Sequence, residues 1–209
     1  MDGLVLTLEE NGGFHYEHWM DISRTPVYSN NGTYRINRGV LRLFPNHSTI
    51  NNGHHETEME TEYYPVHWGK RHYLINSDDM VQFCNSVNDA TQYNQDLSRS
   101  DFIRSGEEEL PHESLMPDVP AEWRPYLLPS VVRGQVTRII DDKTGAIDIG
   151  STSGLQPGMK LREENTHSDV EVVTCSPKSA VVRLLEPNEH SKTWFTVGTQ
   201  VVSREGSRR

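Results

Sequence analysis

A chain of 209 residues with a hydrophobic content of 34% can hold one large β domain or two small ones. The formal net charge is −10 and the 20 basic residues form no long run, which argues against nucleic acid or an anionic membrane surface as the main partner. No stretch approaches the roughly 18 apolar residues of a membrane helix, so no transmembrane segment is expected.

The two cysteines, Cys84 and Cys175, are far apart and form neither a disulfide framework nor a zinc pattern. The N-terminus lacks a basic n-region and an apolar h-region. The expected compartment is the cell envelope if a leader has been removed, and otherwise the cytoplasm. Only four alanines occur, whereas Val, Ile, Thr, Tyr and Trp are frequent and lie in short runs between Gly, Asn, Ser and Pro, which favours strands.

In chain order, Leu4–Leu8 and Phe14–Trp19 flank a hairpin-like turn at Glu9–Gly13. Thr33–Ile36 and Val40–Phe44 flank Asn37-Arg-Gly39. Glu56–Tyr63 alternates strictly, with Glu56, Glu58, Glu60 and Glu62 on one face. Val66–Trp68 and Arg71–Ile75 flank Gly69-Lys70, and Pro65 marks an edge or a bulge. A helix is expected over 78–88, with Ser77 as N-cap, acidic Asp78 and Asp79 in its first turn, and Met80, Phe83, Cys84 and Val87 at helical spacing. It is expected to close one end of the N-terminal sheet.

Residues 91–129 are first polar, then proline-rich, with five prolines from Pro111 to Pro129, and read as a linker or an extended strap. Trp123, Tyr126, Leu127 and Leu128 are expected to pack on a neighbouring module. From Val131 six short strands follow: 131–140, 145–149, 159–162, 170–174, 180–185 and 197–202. Gly150, Gly154 and Gly158 punctuate the turn after the second. The expected fold is mainly β: an N-terminal antiparallel barrel or half-barrel with one short helix (1–90), the strap (91–129), a small C-terminal barrel of SH3/OB-like type (130–204) and a tail (205–209).

Candidate chemistry is sparse. Asp142-Lys-Thr-Gly145 copies a phosphorylation string, but Asp, Lys, Thr and Gly are also good hairpin residues between two strands, and the turn is the better account. The ten histidines, with His15, His18, His54, His55, His67 and His72 in the first module, supply ligand types without a metal-ligand spacing. Cys84 falls on the apolar side of the helix, where a thiol is inert. No catalytic, cofactor or metal residues are therefore assigned. Glu56, Glu58, Glu60 and Glu62 form an acidic strip, either solvated and paired with Lys70, Arg71 or His72, or a surface for a basic partner. Tyr16, Trp19, Tyr34, Tyr64, Trp68 and Tyr73 could line a ligand cavity if the first barrel is open.

The order Gly134–Ile140, Ala146–Gly150, Gly154–Met159, Val170–Val173, Ala180–Val182 and Val197-Gly198 resembles small β-barrel modules of bacterial cell-envelope proteins, such as flagellar assembly protein T and the rod-shape protein MreC. That resemblance covers roughly residues 131–203 and implies a packing and interaction role. Gly32-Thr-Tyr34 followed by Gly39-Val-Leu-Arg-Leu43 loosely resembles lipocalin-like stress-response lipoproteins, without the copper-binding Cys-x-x-Cys of one such family. The expectation is a non-enzymatic binding or scaffold protein, bacterial, mediating contacts with an unknown protein partner and carrying no cofactor. The alternative is a small-ligand carrier or an enzyme that uses an aromatic-lined N-terminal barrel.

Overall fold

The computed structural model describes residues 3–20, 25–50, 59–89, 101–110, 116–165, 167–185 and 196–203. The fold is mainly β, with two barrel-like sheets and one α-helix among the described residues. The chain divides into two compact units, Met1–Met80 with Asn94–Pro120, and Val81–Tyr93 with Ala121–Arg209.

The first unit is a seven-stranded antiparallel meander in sequence order: β1 (Gly3–Leu8), β2 (Gly13–Trp19), β3 (Tyr28–Asn37), β4 (Val40–Ile50), β5 (Glu62–Trp68), β6 (Arg71–Asn76) and β7 (Phe102–Ile103). Tight turns set the register. Between β3 and β4, Arg38 and Gly39 both take positive φ, 52° and 79°, the requirement of a type I′ hairpin whose twist matches its strands.

Alternation then sends Phe14, Tyr16, Tyr28, Leu41, Leu43 and Tyr63 to one face, where they form a buried cluster flanked by Leu4, Leu6, Tyr34, Leu74 and Phe102. Full burial of each such side chain contributes about 1.5–3 kcal/mol. Pro65 sits inside β5, but β4 pairs with β5 only at Leu41↔Tyr63 and Arg42↔Glu62, so no ladder bond to β4 is asked of it.

The second unit contains a closed six-stranded barrel: β8 (Arg133–Ile139), β9 (Thr144–Ile147), β10 (Lys160–Glu163), β11 (Asp169–Cys175), β12 (Ala180–Leu184) and β13 (Gln200–Val202), in the order β10-β11-β12-β9-β8-β13. All six expected C-terminal strands are present. Val136, Ile147, Leu155, Met159, Leu161, Val170, Val172, Val182 and Val201 fill its interior.

Two expectations are corrected. The helix α1 runs Met80–Asp89 after a 3-10 turn at Ser77–Asp79, and its cap is Asn76, not Ser77. Asn76 is extended (φ −61°, ψ 146°) and its Oδ1 accepts from the Asp78 N–H at 2.8 Å, which leaves Ser77 inside the turn. From Val81 onward the helix belongs to the second unit. Asn85 donates to Gly158 O at 3.0 Å and accepts from Lys160 N at 2.9 Å. Asn88 donates to Tyr126 O at 2.8 Å and accepts from Leu128 N at 2.7 Å.

The strap is likewise divided. Phe102 and Ile103 add β7 to the first sheet, and Asp118 bridges to His67. Residues from Ala121 onward join the second unit, where Leu128 enters the barrel core and Tyr126 packs against it.

Candidate functional site

β1 and β7 are the two ends of the first sheet, and no hydrogen-bonded ladder joins them. Their Cα atoms approach within 8 Å, against about 4.8 Å for neighbouring strands. The seam between them holds a cleft of about 730 Å³, lined along β1 by Leu4, Val5, Leu6 and Leu8 and on the opposite side by Leu74, Phe102 and Ile103. Its polar lining includes Asp101, Arg104 and Glu108.

His72, which also lines the cleft, is held by Glu107. The Glu107 carboxylate accepts from the His72 backbone N–H at 2.6 Å and meets His72 Nδ1 at 3.0 Å, with Arg104 at 3.8 Å. Desolvation works against its charge, but these bonds prevail and hold the carboxyl below its ordinary value. The His72 ring stacks on His67 across the β5–β6 hairpin at 4.7 Å.

The six aromatic residues do not line one cavity. Tyr16 and Tyr34 belong to the inner face, where Tyr16 meets Tyr28 and Phe102 edge-on at 5.9 and 6.3 Å. Burial raises the Tyr16 hydroxyl to about 12, and Tyr34 donates to Glu9 O at 3.0 Å. Trp19, Tyr64, Trp68 and Tyr73 lie at the alternate positions and face the other side of the sheet. Of the six, only Tyr73 borders the cleft. Runs of aromatics in strand-forming sequence do not show which rings share a face until the register is known.

Of the acidic strip, Glu56 and Glu58 lie outside the described residues. β5 begins at Glu62, so Glu60 precedes the strand and does not share a strand face with it. Glu60 accepts from Asn76 Nδ2 at 3.2 Å. Glu62 stands directly opposite Arg42 on β4 and accepts from its Nε at 2.8 Å, not from Lys70, Arg71 or His72. The expected pairing is corrected because Glu62 lies beside β4, whereas Lys70 to His72 lie at the other end of the β5–β6 hairpin.

A polar network covers the outer face of β2 and β3. His15 Nδ1 meets Asn31 Oδ1 at 2.5 Å, His15 Nε2 meets Glu17 Oε1 at 3.0 Å, and Trp19 Nε1 donates to Glu17 Oε2 at 3.1 Å. The Asn31 bond, then that to Glu17, raises the His15 pKa above 6.5, while the His15 bond lowers Glu17 below 4.5. Because His15 titrates higher in the folded state, its contribution to stability is complete below pH 6.5 and is lost as pH rises through the folded value. Glu17, lowered, contributes above pH 4.5 and loses its contribution as pH falls through its folded value. NMR titration is expected to show the His15 ring titrating above 6.5 and returning towards that value in Asn31→Ala. An unchanged midpoint in the variant would show that Asn31 does not hold the ring.

Elsewhere the chemistry is quiet. Burial pushes the Cys84 thiol up to about 12. The Asp142-Lys-Thr-Gly145 string lies in and beside the β8–β9 turn, in which Asp141 accepts from Lys143 N at 2.9 Å and Ile140 N bonds to Thr144 O. Among the described residues no group of three or more His, Cys, Asp or Glu side chains is placed to hold a metal ion. Nor is any helix among them long and apolar enough to cross a membrane.

No protein-family model matches the chain, and no curated protein or solved structure matches it.

Proposed function

We propose that the protein is a non-enzymatic binding or scaffold protein that makes protein–protein contacts through its N-terminal unit. The observation that carries this reading is the edge of β1, which among the described residues is paired with β2 alone. It is an uncharged, six-residue apolar strand, and Val5 and Leu8 on it are 46% and 37% exposed. An exposed apolar strand edge of this length is an aggregation hazard unless something covers it. A docking role gives that exposure a use. The C-terminal barrel, with its filled interior, serves in this reading as an interaction module of the bacterial cell-envelope kind.

The test is affinity capture with the full chain from a lysate of the source organism, followed by reconstitution with the purified partner. Saturable binding at a fixed stoichiometry is expected. Failure to reconstitute any protein complex, or saturable binding of a small apolar molecule in the seam cleft in place of a protein, would sink the reading.

A further inference from the structure

We infer that His67 and His72 form a two-imidazole chelating site for a divalent transition-metal ion of the zinc or copper type, with Glu107 as its positioning residue. The site lies within the first unit and does not depend on the protein-binding reading above.

The backbone brings the two rings together. His67 and His72 stand directly opposite each other on β5 and β6. Their main-chain groups turn outward: Asp118 N donates to His67 O at 2.8 Å, Arg104 N to His72 O at 2.9 Å, and His72 N to Glu107. They are therefore a non-hydrogen-bonded pair, in which opposite Cα atoms approach to about 4.5 Å and side chains lie closest. The rings stack at 4.7 Å with 27° between their planes. Both side chains are exposed, so the rings can turn about Cβ–Cγ at little cost. Turned towards each other, one nitrogen from each ring reaches a shared ion at the distance of about 2.0–2.1 Å that zinc takes from imidazole.

Glu107 decides which nitrogen His72 offers. A carboxylate only accepts, so its contact with His72 Nδ1 at 3.0 Å places the ring proton there and leaves the Nε2 lone pair for a ligand. The His72 backbone N–H, 2.6 Å from the same carboxylate, holds it in place and ionised. A histidine fixed by a carboxylate at one nitrogen and metallated at the other recurs throughout metal sites. Among the described residues neither His72 Nε2 nor either ring nitrogen of His67 has a hydrogen-bond partner. His15 is the internal contrast, with one ring nitrogen engaged by Asn31 and the other by Glu17.

Ligand type selects the ion. Imidazole suits zinc, copper and nickel, whereas magnesium and calcium take oxygen ligands. The net charge of −10 draws cations, although Arg104, 3.8 Å from Glu107, offsets part of the local charge. Two protein ligands are fewer than a structural zinc site takes, so the bound ion keeps positions open to water or to a ligand from outside.

The probe is Zn2+ titrated into the nitrogen-labelled full chain and read at the histidine ring nitrogens by NMR. Before metal is added, His72 is expected as the tautomer protonated at Nδ1. One equivalent of Zn2+ is expected to shift His72 Nε2 and a ring nitrogen of His67 saturably, at least tenfold below the concentration that moves His15 or His18, with no response to Mg2+. His67→Gln and His72→Gln should each weaken binding at least tenfold, because the second ring attaches intramolecularly once the first has bound. Both positions are exposed, so an unchanged melting temperature confirms that each variant folds. Glu107→Gln keeps an acceptor for His72 N but loses the charge, and is expected to weaken binding about tenfold. A His72 ring protonated at Nε2 in the metal-free chain overturns the inference, as do shifts that rise in parallel at all histidines. Parental affinity in either single-ring variant, or in Glu107→Gln, overturns it as well.

Discussion

Gly150→Ala is expected to be the most damaging single methyl group that can be added to the C-terminal unit. The backbone at Gly150 is extended (φ −149°), so conformational freedom is not the issue. Space is. A Cβ there would lie 2.0 Å from Ser176 O, 2.6 Å from Ser179 N and 2.8 Å from Ser179 O. All three are main-chain atoms, so no side chain can swing away. The neighbouring backbone is also committed, with Ser151 N bonded to Ser176 O at 2.9 Å and Thr152 N to Pro177 O at 3.0 Å. Relief would require moving the turn that joins β11 to β12. The expected cost is about 3 kcal/mol or more, at or beyond the top of the usual overpacking range.

The two other glycines of the same stretch provide the contrast. Gly154 and Gly158 have φ of +88° and +86°, and an added Cβ would come no closer than 3.1 Å to Leu128 and 3.3 Å to Val81, both through side-chain atoms. Their alanine variants should each lose about 1–2 kcal/mol, from the left-handed conformation alone. Hydrogen exchange of the barrel-core amides of Val170, Val172 and Val182 reads these differences directly, since such amides exchange through opening of the whole unit. If Gly150→Ala costs no more than Gly154→Ala, the close approach is not what the stretch is built around.

That glycine series also shows what was legible in the residues and what was not. Gly150, Gly154 and Gly158 announced turns, and alternating Val, Ile and Leu announced six barrel strands; both are local signals that the closed barrel preserves. Which glycine is held by space and which by φ depends on the β11–β12 turn, a segment more than twenty residues further on. The seam is non-local for the same reason. Leu4, Leu6 and Leu8 read as one face of a strand, and nothing in them says that Phe102, almost a hundred residues later, will stand opposite without pairing. The acidic strip misled because alternation alone implied a strand across Glu60 and Glu62, whereas Asn76 engages the first and Arg42 the second. The aromatic set misled through parity, since Tyr16 and Trp19 are three residues apart on one strand and so face opposite ways.

The apolar stripe of Met80, Phe83, Cys84 and Val87 predicts the helix, whereas the residues that attach it carry no periodic signal. Asn85 and Asn88 stand three apart on α1, both are buried, and each closes a two-bond clamp on main chain of the second unit. Buried asparagine is disfavoured inside a helix unless its amide is used, and here both ends of each amide are used. Asn85→Ala would leave Gly158 O and Lys160 N without these partners, and Asn88→Ala would do the same to Tyr126 O and Leu128 N. Each is expected to cost about 2–3 kcal/mol, because orphaning a buried polar group costs more than the bond itself contributes. The Arg162–Asp89 ion pair at 3.4 Å is half-buried and cannot replace either clamp. In the double variant the helix is expected to lift away, and the total should fall short of the sum, because one release event serves both losses. Cys84 supplies the readout. Its thiol is buried and held up to about 12, so it should resist a disulfide reagent in the parent chain and react at least tenfold faster in the double variant. Asn85→Asp separates the two halves of a clamp, since it keeps the acceptor for Lys160 N and removes the donor to Gly158 O. If Cys84 stays protected in the double variant, then Phe83, Cys84 and Val87 hold the helix by burial alone, and the asparagines only refine its register.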